Sequence, residues 1–145
     1  MALLDDIATY LDAQSTAFTL LAGTAGNLAK TALLDRTPAP DTMTSIYETG
    51  GSAPQWVFGS TAPAIETAGL QLLSRSTSYA TAHSRAFTAY RLLGGVKNRR
   101  LPTTASTNCL YLDVNPDQPP FSIGPDQQGR HLVSVNFTVR KEQKA

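Results

Sequence analysis

The sequence predicts an α+β fold, an antiparallel β-sheet of about four or five strands packed with two α-helices. Three observations predict it. Residues from Gly69 to Gly95 read first as an alternating strand and then as an amphipathic helix, a second helical pattern stands at the start, and alternating runs close the chain. At 145 residues with 41% hydrophobic content, the chain is the size of one ordinary domain and can build one core, so residues 1–145 are read as a single domain.

Leu3, Leu4, Ile7, Tyr10 and Leu11 recur at helical spacing, and Asp5 with Asp6 stands in the first turn, where the helix dipole favours negative charge. Residues 2 to about 14 are therefore the first helix. Residues 15–34 are Ala-rich, and Leu20, Leu21, Leu28, Leu33 and Leu34 fit either a second helix or a strand after the turn-prone Gly23 to Asn27. We read them as a loop followed by a strand near Leu28 to Leu34. Pro38 and Pro40 end what precedes them, and Thr44 to Glu48 is β-favouring, with a stop at Gly50-Gly51.

From Ser52 to Thr67, Pro54 and Pro63 punctuate a loop that holds Trp56, Val57 and Phe58, large apolar residues that are unusual in a loop facing only water. In the strand that follows, Leu70, Leu72 and Ser74 share one face, and Gln71, Leu73 and Arg75 the other. Ser76 and Ser78 are candidate N-caps for a helix with a stripe of Tyr79, Ala82, His83, Ala86, Phe87, Tyr90 and Leu93. Gly94-Gly95 offers the positive-φ residue with which helices commonly end, and Arg85 and Arg91 suit the negative end of the dipole.

Val96 to Thr107 carries Lys97, Arg99, Arg100 and Pro102 and reads as a loop. Asn108 to Asn115 sets Cys109, Tyr111 and Asp113 against Leu110, Leu112 and Val114, which is strand period. Pro116 to Gly129 is a turn-rich crossover, and His131 to Val139 alternates again with His131, Val133, Val135, Phe137 and Val139 on one side. Arg140 to Ala145 is polar and reads as a frayed end.

Twelve Lys plus Arg against eleven Asp plus Glu leave a net charge of +1, which argues against a surface built as a whole to hold nucleic acid or anionic lipid. A local basic patch stays open. The single Cys109 excludes an internal disulfide and a cysteine-based zinc site. No apolar run approaches the roughly 20 residues that span a bilayer, and Asp5 and Asp6 stand where a signal peptide carries positive charge, so we expect a soluble protein made in a cytoplasm with no membrane partner.

No spacing joins reactive groups into a catalytic, cofactor or metal site. His83 beside the helical stripe and His131 at the start of the last strand read as structural, although a site with Asp126 can be imagined. Cys109 sits in an alternating strand, with no helix start after it to lower its pKa. Asp5, Asp6 and Asp12 read as one solvated acidic helix face rather than a metal cluster, and Gly23 to Asn27 lacks the Gly-Lys-Ser/Thr ending of a phosphate loop. Arg130 reads as a structural cation at a strand start, paired with an acid. The interaction candidates are Trp56, Val57 and Phe58 as anchors for a neighbouring subunit, and Lys97, Arg99 and Arg100 as a DNA-facing patch.

Several segments, taken in order, resemble the small minor capsid or tail terminator proteins of long-tailed bacteriophages. They are Leu4-Asp5-Asp6-Ile7 with Tyr10-Leu11; Tyr47-Glu48-Thr49-Gly50-Gly51 with Pro54; and Gly69-Leu70-Gln71 leading through Arg75 to Ser78-Tyr79-Ala80. Pro120, Gly124, Asp126, Gly129-Arg130 and Val135-Asn136-Phe137-Thr138-Val139 complete the series. The resemblance covers nearly the whole chain, and the agreement lies in the order of the motifs rather than in any one of them.

The resemblance implies a non-enzymatic virion protein without cofactors, assembled in the bacterial cytoplasm into a sixfold homo-oligomeric ring at the head–tail junction. Such a ring stops polymerisation of the major tail tube protein, presents a face to the head–tail connector or stopper protein, and lets genomic DNA through its lumen without sequence-specific binding. A head completion or stopper protein is the nearest alternative, and a small ligand-binding or enzymatic α+β domain is the alternative of another class.

Overall fold

In the computed structural model the elements run α1 (Leu3–Gln14), β1 (Leu28–Lys30), β2 (Met43–Trp56), β3 (Pro63–Ser76), α2 (Tyr79–Gly94), β4 (Lys97–Leu101), β5 (Cys109–Pro116), β6 (Phe121–Pro125) and β7 (His131–Glu142). The structure describes residues 3–20, 26–30, 41–56, 63–101 and 109–142, without the side chains of residues 54, 56, 63 and 64. The parts of the predicted strand beyond Lys30 and the Pro38 and Pro40 breaks lie outside the described residues.

Among the described residues, one seven-stranded sheet has the order β1-β2-β3-β7-β5-β4, with β6 beside β7. β3 pairs along the whole of β7, while β5 pairs with residues 137–141 and β6 with residues 131–134 of its other side. Every pairing is antiparallel except β1 with β2. The expected α+β class and two helices hold, but four or five strands is an undercount.

The missed strands have physical reasons. β4 lies in the segment read as a loop because it is charged, as edge strands often are, and Asn98 at φ 46° interrupts its alternation. β6 lies inside the proline-rich crossover, where Gly124 at φ 95° permits a bulge between Ser122 and Gly124. The strand expected to stop at Gly50-Gly51 runs on to Trp56, because Gly50 at φ 80° forms a bulge rather than a terminus. Gly51 and Gly69 then let the backbones of β2 and β3 approach: a Cβ at Gly51 would collide with Thr67 O, and one at Gly69 with Gly50 O and Thr49 Oγ1. β7 extends past the expected frayed end at Arg140 to Glu142, with Lys141 buried.

α1 touches β1, β2 and β4, strands at both sides of the sheet, whereas α2 lies over β3, β7 and β5 in its middle. The sheet thus curls until both edges reach α1. Leu3, Ile7, Ala8, Tyr10 and Leu11 of α1 join Leu70, Leu72, Val133, Val135, Phe137 and Val139 in one core. A fully buried residue of this size contributes about 1.5–3 kcal/mol by leaving water. Leu70, Leu72 and Ser74 of β3 are buried as expected, and Gln71 and Leu73 are half-buried on the opposite face, but Arg75 on that face is buried too; on β7, Val133, Val135, Phe137 and Val139 are buried.

α2 corrects the expected stripe. Its buried face consists of Ala82, Arg85, Ala86, Ala89 and Leu93, whereas Tyr79 and Phe87 are 47% and 42% exposed and His83 and Tyr90 are half-buried. Small side chains let the helix close onto the sheet, and the aromatics at the same spacing flank the contact instead of filling it. Ser78 is the N-cap, its hydroxyl accepting from Thr81 N at 3.4 Å. The stop differs from expectation: the C-cap Gly95 has φ −85°, and Val96 N donates to Leu93 O at 3.0 Å as the chain turns into β4.

Candidate interaction surfaces

The outer side of α2 is a ladder of stacked aromatic groups. Tyr79 and His83 have centroids 5.8 Å apart, His83 and Phe87 lie 6.2 Å apart with planes 13° from parallel, and Phe87 and Tyr90 lie 5.7 Å apart. The three- and four-residue steps of a helix bring these side chains onto one ridge. His131 at the start of β7 extends it by meeting Tyr79 edge-on at 6.0 Å. Both histidines therefore share Tyr79, while Asp126, the acid imagined beside them, is held by Arg130. Arg91 is exposed at the C-terminal end of the ridge, and α2 contains no acidic residue.

The three cations expected to form a patch stand on β4, each with its own partner. Lys97 donates to Asn115 Oδ1 at 2.6 Å, and Arg100 pairs with Glu142 Oε1 at 3.2 Å. Arg99 turns towards α1, its guanidinium 5.2 Å from the centre of the Tyr10 ring and 3.5 Å from the Tyr10 hydroxyl. Lys97 and Arg100 are exposed, the Arg100 side chain at 53%, and Arg99 is half-buried. Trp56 ends β2 opposite Pro63; its side chain and all of Val57 and Phe58 lie outside the described residues.

Buried polar groups position these surfaces. Arg85 on the inner side of α2 donates to Thr44 Oγ1, Ala17 O and Asn27 O and lies over the Phe18 ring, so one guanidinium ties α2 to β2 and to the turn after α1. Burial pushes its pKa down. Arg130 is paired as expected, with Asp126 at 2.8 Å and Asp41 at 3.4 Å. Desolvation opposes ionisation of Asp126, but hydrogen bonds from Arg130 N, Gln128 N and the Arg130 side chain outweigh it and hold the carboxyl below its ordinary range.

The aspartates expected on one solvated helix face diverge: Asp5 pairs with Lys30 at 2.6 Å, Asp12 is exposed, and Asp6 is buried. Asp6 Oδ2 accepts from the Tyr111 hydroxyl at 2.7 Å, and its Oδ1 has no partner among the described residues. Burial raises the Asp6 carboxyl against the opposing Tyr111 bond, and burial followed by that same bond raises the Tyr111 phenol. Cys109 is buried and donates to Glu142 O at 3.1 Å. Among the described residues, no group of three His, Cys, Asp or Glu is placed to hold a metal, and no helix is long and apolar enough to cross a membrane.

A curled sheet packs around the inner side of one helix and leaves aromatics along the outside of the other. The chain belongs to the bacteriophage tail terminator protein family, whose model matches residues 23–143. Its fold is similar to that of a chain from the virion of a native gene transfer agent particle, with a TM-score of 0.59 at 17% identity, covering 98% of this chain and 96% of that one. A second solved chain matches with a TM-score of 0.54 at 13% identity, covering 99% and 92% respectively. No curated protein sequence matches. Family membership assigns the chain a structural role in a phage tail, as part of the virion.

Proposed function

We propose that this chain forms a hexameric ring at the head-proximal end of the tail tube, terminates tube polymerisation and joins the tail to the head connector. The family match over residues 23–143 carries the reading. One face of the ring meets the last layer of the major tail tube protein, the other meets the connector or stopper protein, and DNA passes through the lumen. The work is surface matching, without catalysis or cofactor, and assembly takes place in the host cytoplasm.

In this reading Trp56, Val57 and Phe58 anchor a neighbouring subunit, and Lys97, Arg99 and Arg100 give the lumen a modest positive charge. Glu142 offsets Arg100, whereas Lys97 and Arg99 have the neutral partners Asn115 and Tyr10, so these two carry most of that charge. Phosphate attraction needs charge without base contacts, which suits a passage that must not grip its DNA.

Electron microscopy of particles assembled without this protein tests the reading. Overlong tails lacking heads are expected. Filled heads leaking DNA beside tails of normal length would instead identify a head completion protein.

A further inference from the structure

Two strand edges of the sheet lie open. β1 pairs with β2 only at residues 44–46, so from Glu48 to Trp56 the side of β2 away from β3 has no strand beside it among the described residues. β6 likewise pairs with β7 alone. The other two edges are guarded. Leu20 bridges Leu28 at the outer side of β1, where Thr19 O accepts from Leu28 N, and β4 carries Lys97, Arg99 and Arg100 with Asn98 at φ 46°. β6 has no charged residue, and its Phe121 and Ile123 are 41% and 48% exposed. It also stands on the same side of the molecule as the aromatic ridge. On one flank of α2 Arg85 reaches Thr44 of β2; on the other, Tyr79 meets His131, the β7 residue paired with Pro125 of β6. The large apolar side chains exposed among the described residues, Tyr79, Phe87, Phe121 and Ile123, therefore belong to the ridge or to the strand beside it.

We propose that β6 of one copy of this chain pairs antiparallel with residues 48–55 of β2 of the next copy, which brings the neighbour against the ridge side of α2. Strand sense selects the occupant. β6 runs opposite to β2, so this pair leaves the strands of both copies pointing the same way, and the small rotation between neighbours of a sixfold ring cannot reverse a strand. β4 runs in the sense of β2, so an antiparallel pair there would turn the next copy over, as would β6 on β6 or β2 on β2. The order β2-β3-β7-β6 also sets the two open edges on opposite sides of the sheet, as a head-to-tail contact needs. Main-chain hydrogen bonds supply the affinity of an added strand. Gly50, Gly51, Ser52 and Ala53 offer only small side chains and leave room for Phe121 and Ile123 across the pair. This pairing rests on the ring reading above and names the strands that meet.

The test is cysteine cross-linking of the full chain, mixed with tail tube protein under mild oxidation and sized in denaturant. Ile123→Cys is combined in one chain with Ser52→Cys, Ala53→Cys or Gln55→Cys, all at exposed positions, and the native Cys109 is buried. At least one combination is expected to give a ladder of covalently linked copies, and Arg100→Cys with the same partners to give none. Ile123→Lys, which sets a charge on the open edge, is expected to weaken association about tenfold in light scattering with an unchanged melting temperature. Assembled chains without a ladder, a ladder from Arg100→Cys, linked pairs from Ile123→Cys alone, or Ile123→Lys that assembles like wild type would each overturn the pairing while leaving the ring reading intact. A wild-type chain that stays monomeric both alone and with tubes would overturn the ring reading, and this pairing with it.

Discussion

α1 and α2 have similar hydrophobic periodicity and opposite fates. α1 is enclosed by a sheet that curls to reach it from both edges, and its Leu3, Ile7, Tyr10 and Leu11 are core. α2 lies on the middle strands through Ala82, Ala86, Ala89 and Leu93, leaving its largest side chains along the outside. Helical spacing shows that residues share a side of a helix, but side-chain size and the shape of the receiving surface decide which of them enter the core. Aromatics left outside are then available for association rather than folding.

Substitution in α1 gives the largest expected effect. Ile7→Ala removes a fully buried side chain from a site closed on all sides and is expected to cost about 2–5 kcal/mol in chemical denaturation. A cost below that range would mean that the sheet relaxes around α1, weakening the contrast between the helices. Ala86→Leu comes next, because Ala86 is fully buried where α2 meets the sheet; an overpacking cost of about 1–3 kcal/mol is expected in the same measurement.

Asp6 sharpens the comparison through pH. Its folded carboxyl is raised by burial, so the folded chain holds that proton more tightly than the unfolded chain does. The contribution of this group is therefore most favourable at or below the ordinary carboxylate value of about 3.9, and it declines as pH rises through the raised folded value. Asp6→Asn keeps an oxygen to accept the Tyr111 hydroxyl and is expected to flatten this decline in melting curves recorded across pH. An unchanged pH dependence would show that Asp6 is not its source. The smallest expected effect on stability is that of Phe87→Ala, within about 0.5 kcal/mol for the isolated subunit, since the side chain already meets solvent.

Much of the framework was legible because local chemistry and tertiary packing agree. The opening helix, the faces of Leu70, Leu72 and Val133 to Val139, the Ser78 cap and the Arg130 pairing all follow from spacing and residue type. β4 and β6 were hidden because their strand pairing depends on neighbours distant in sequence, and charge or proline obscures alternation. Gly50 looked like a stop because a positive-φ glycine serves a turn and a bulge equally well.

The aromatic ridge of α2 was legible as residues but not as geometry. Tyr79, His83, Phe87 and Tyr90 stood in the pattern as one stripe with Ala82, Ala86 and Leu93, and spacing alone did not separate the aromatics outside from the small residues inside. The buried Asp6 was less accessible to reasoning from sequence, since its partner Tyr111 lies 105 residues away. Arg85 suited the helix dipole by position, yet its contacts reach Ala17, Asn27 and Thr44 instead.

The central claim is that α2 folds through its inner side and assembles through its outer one. Phe87→Ser tests it most directly, by comparing melting temperature and light-scattering mass with wild type in the presence of tail tube protein. An unchanged melting temperature with impaired assembly is expected. A lowered melting temperature with unchanged assembly would contradict it.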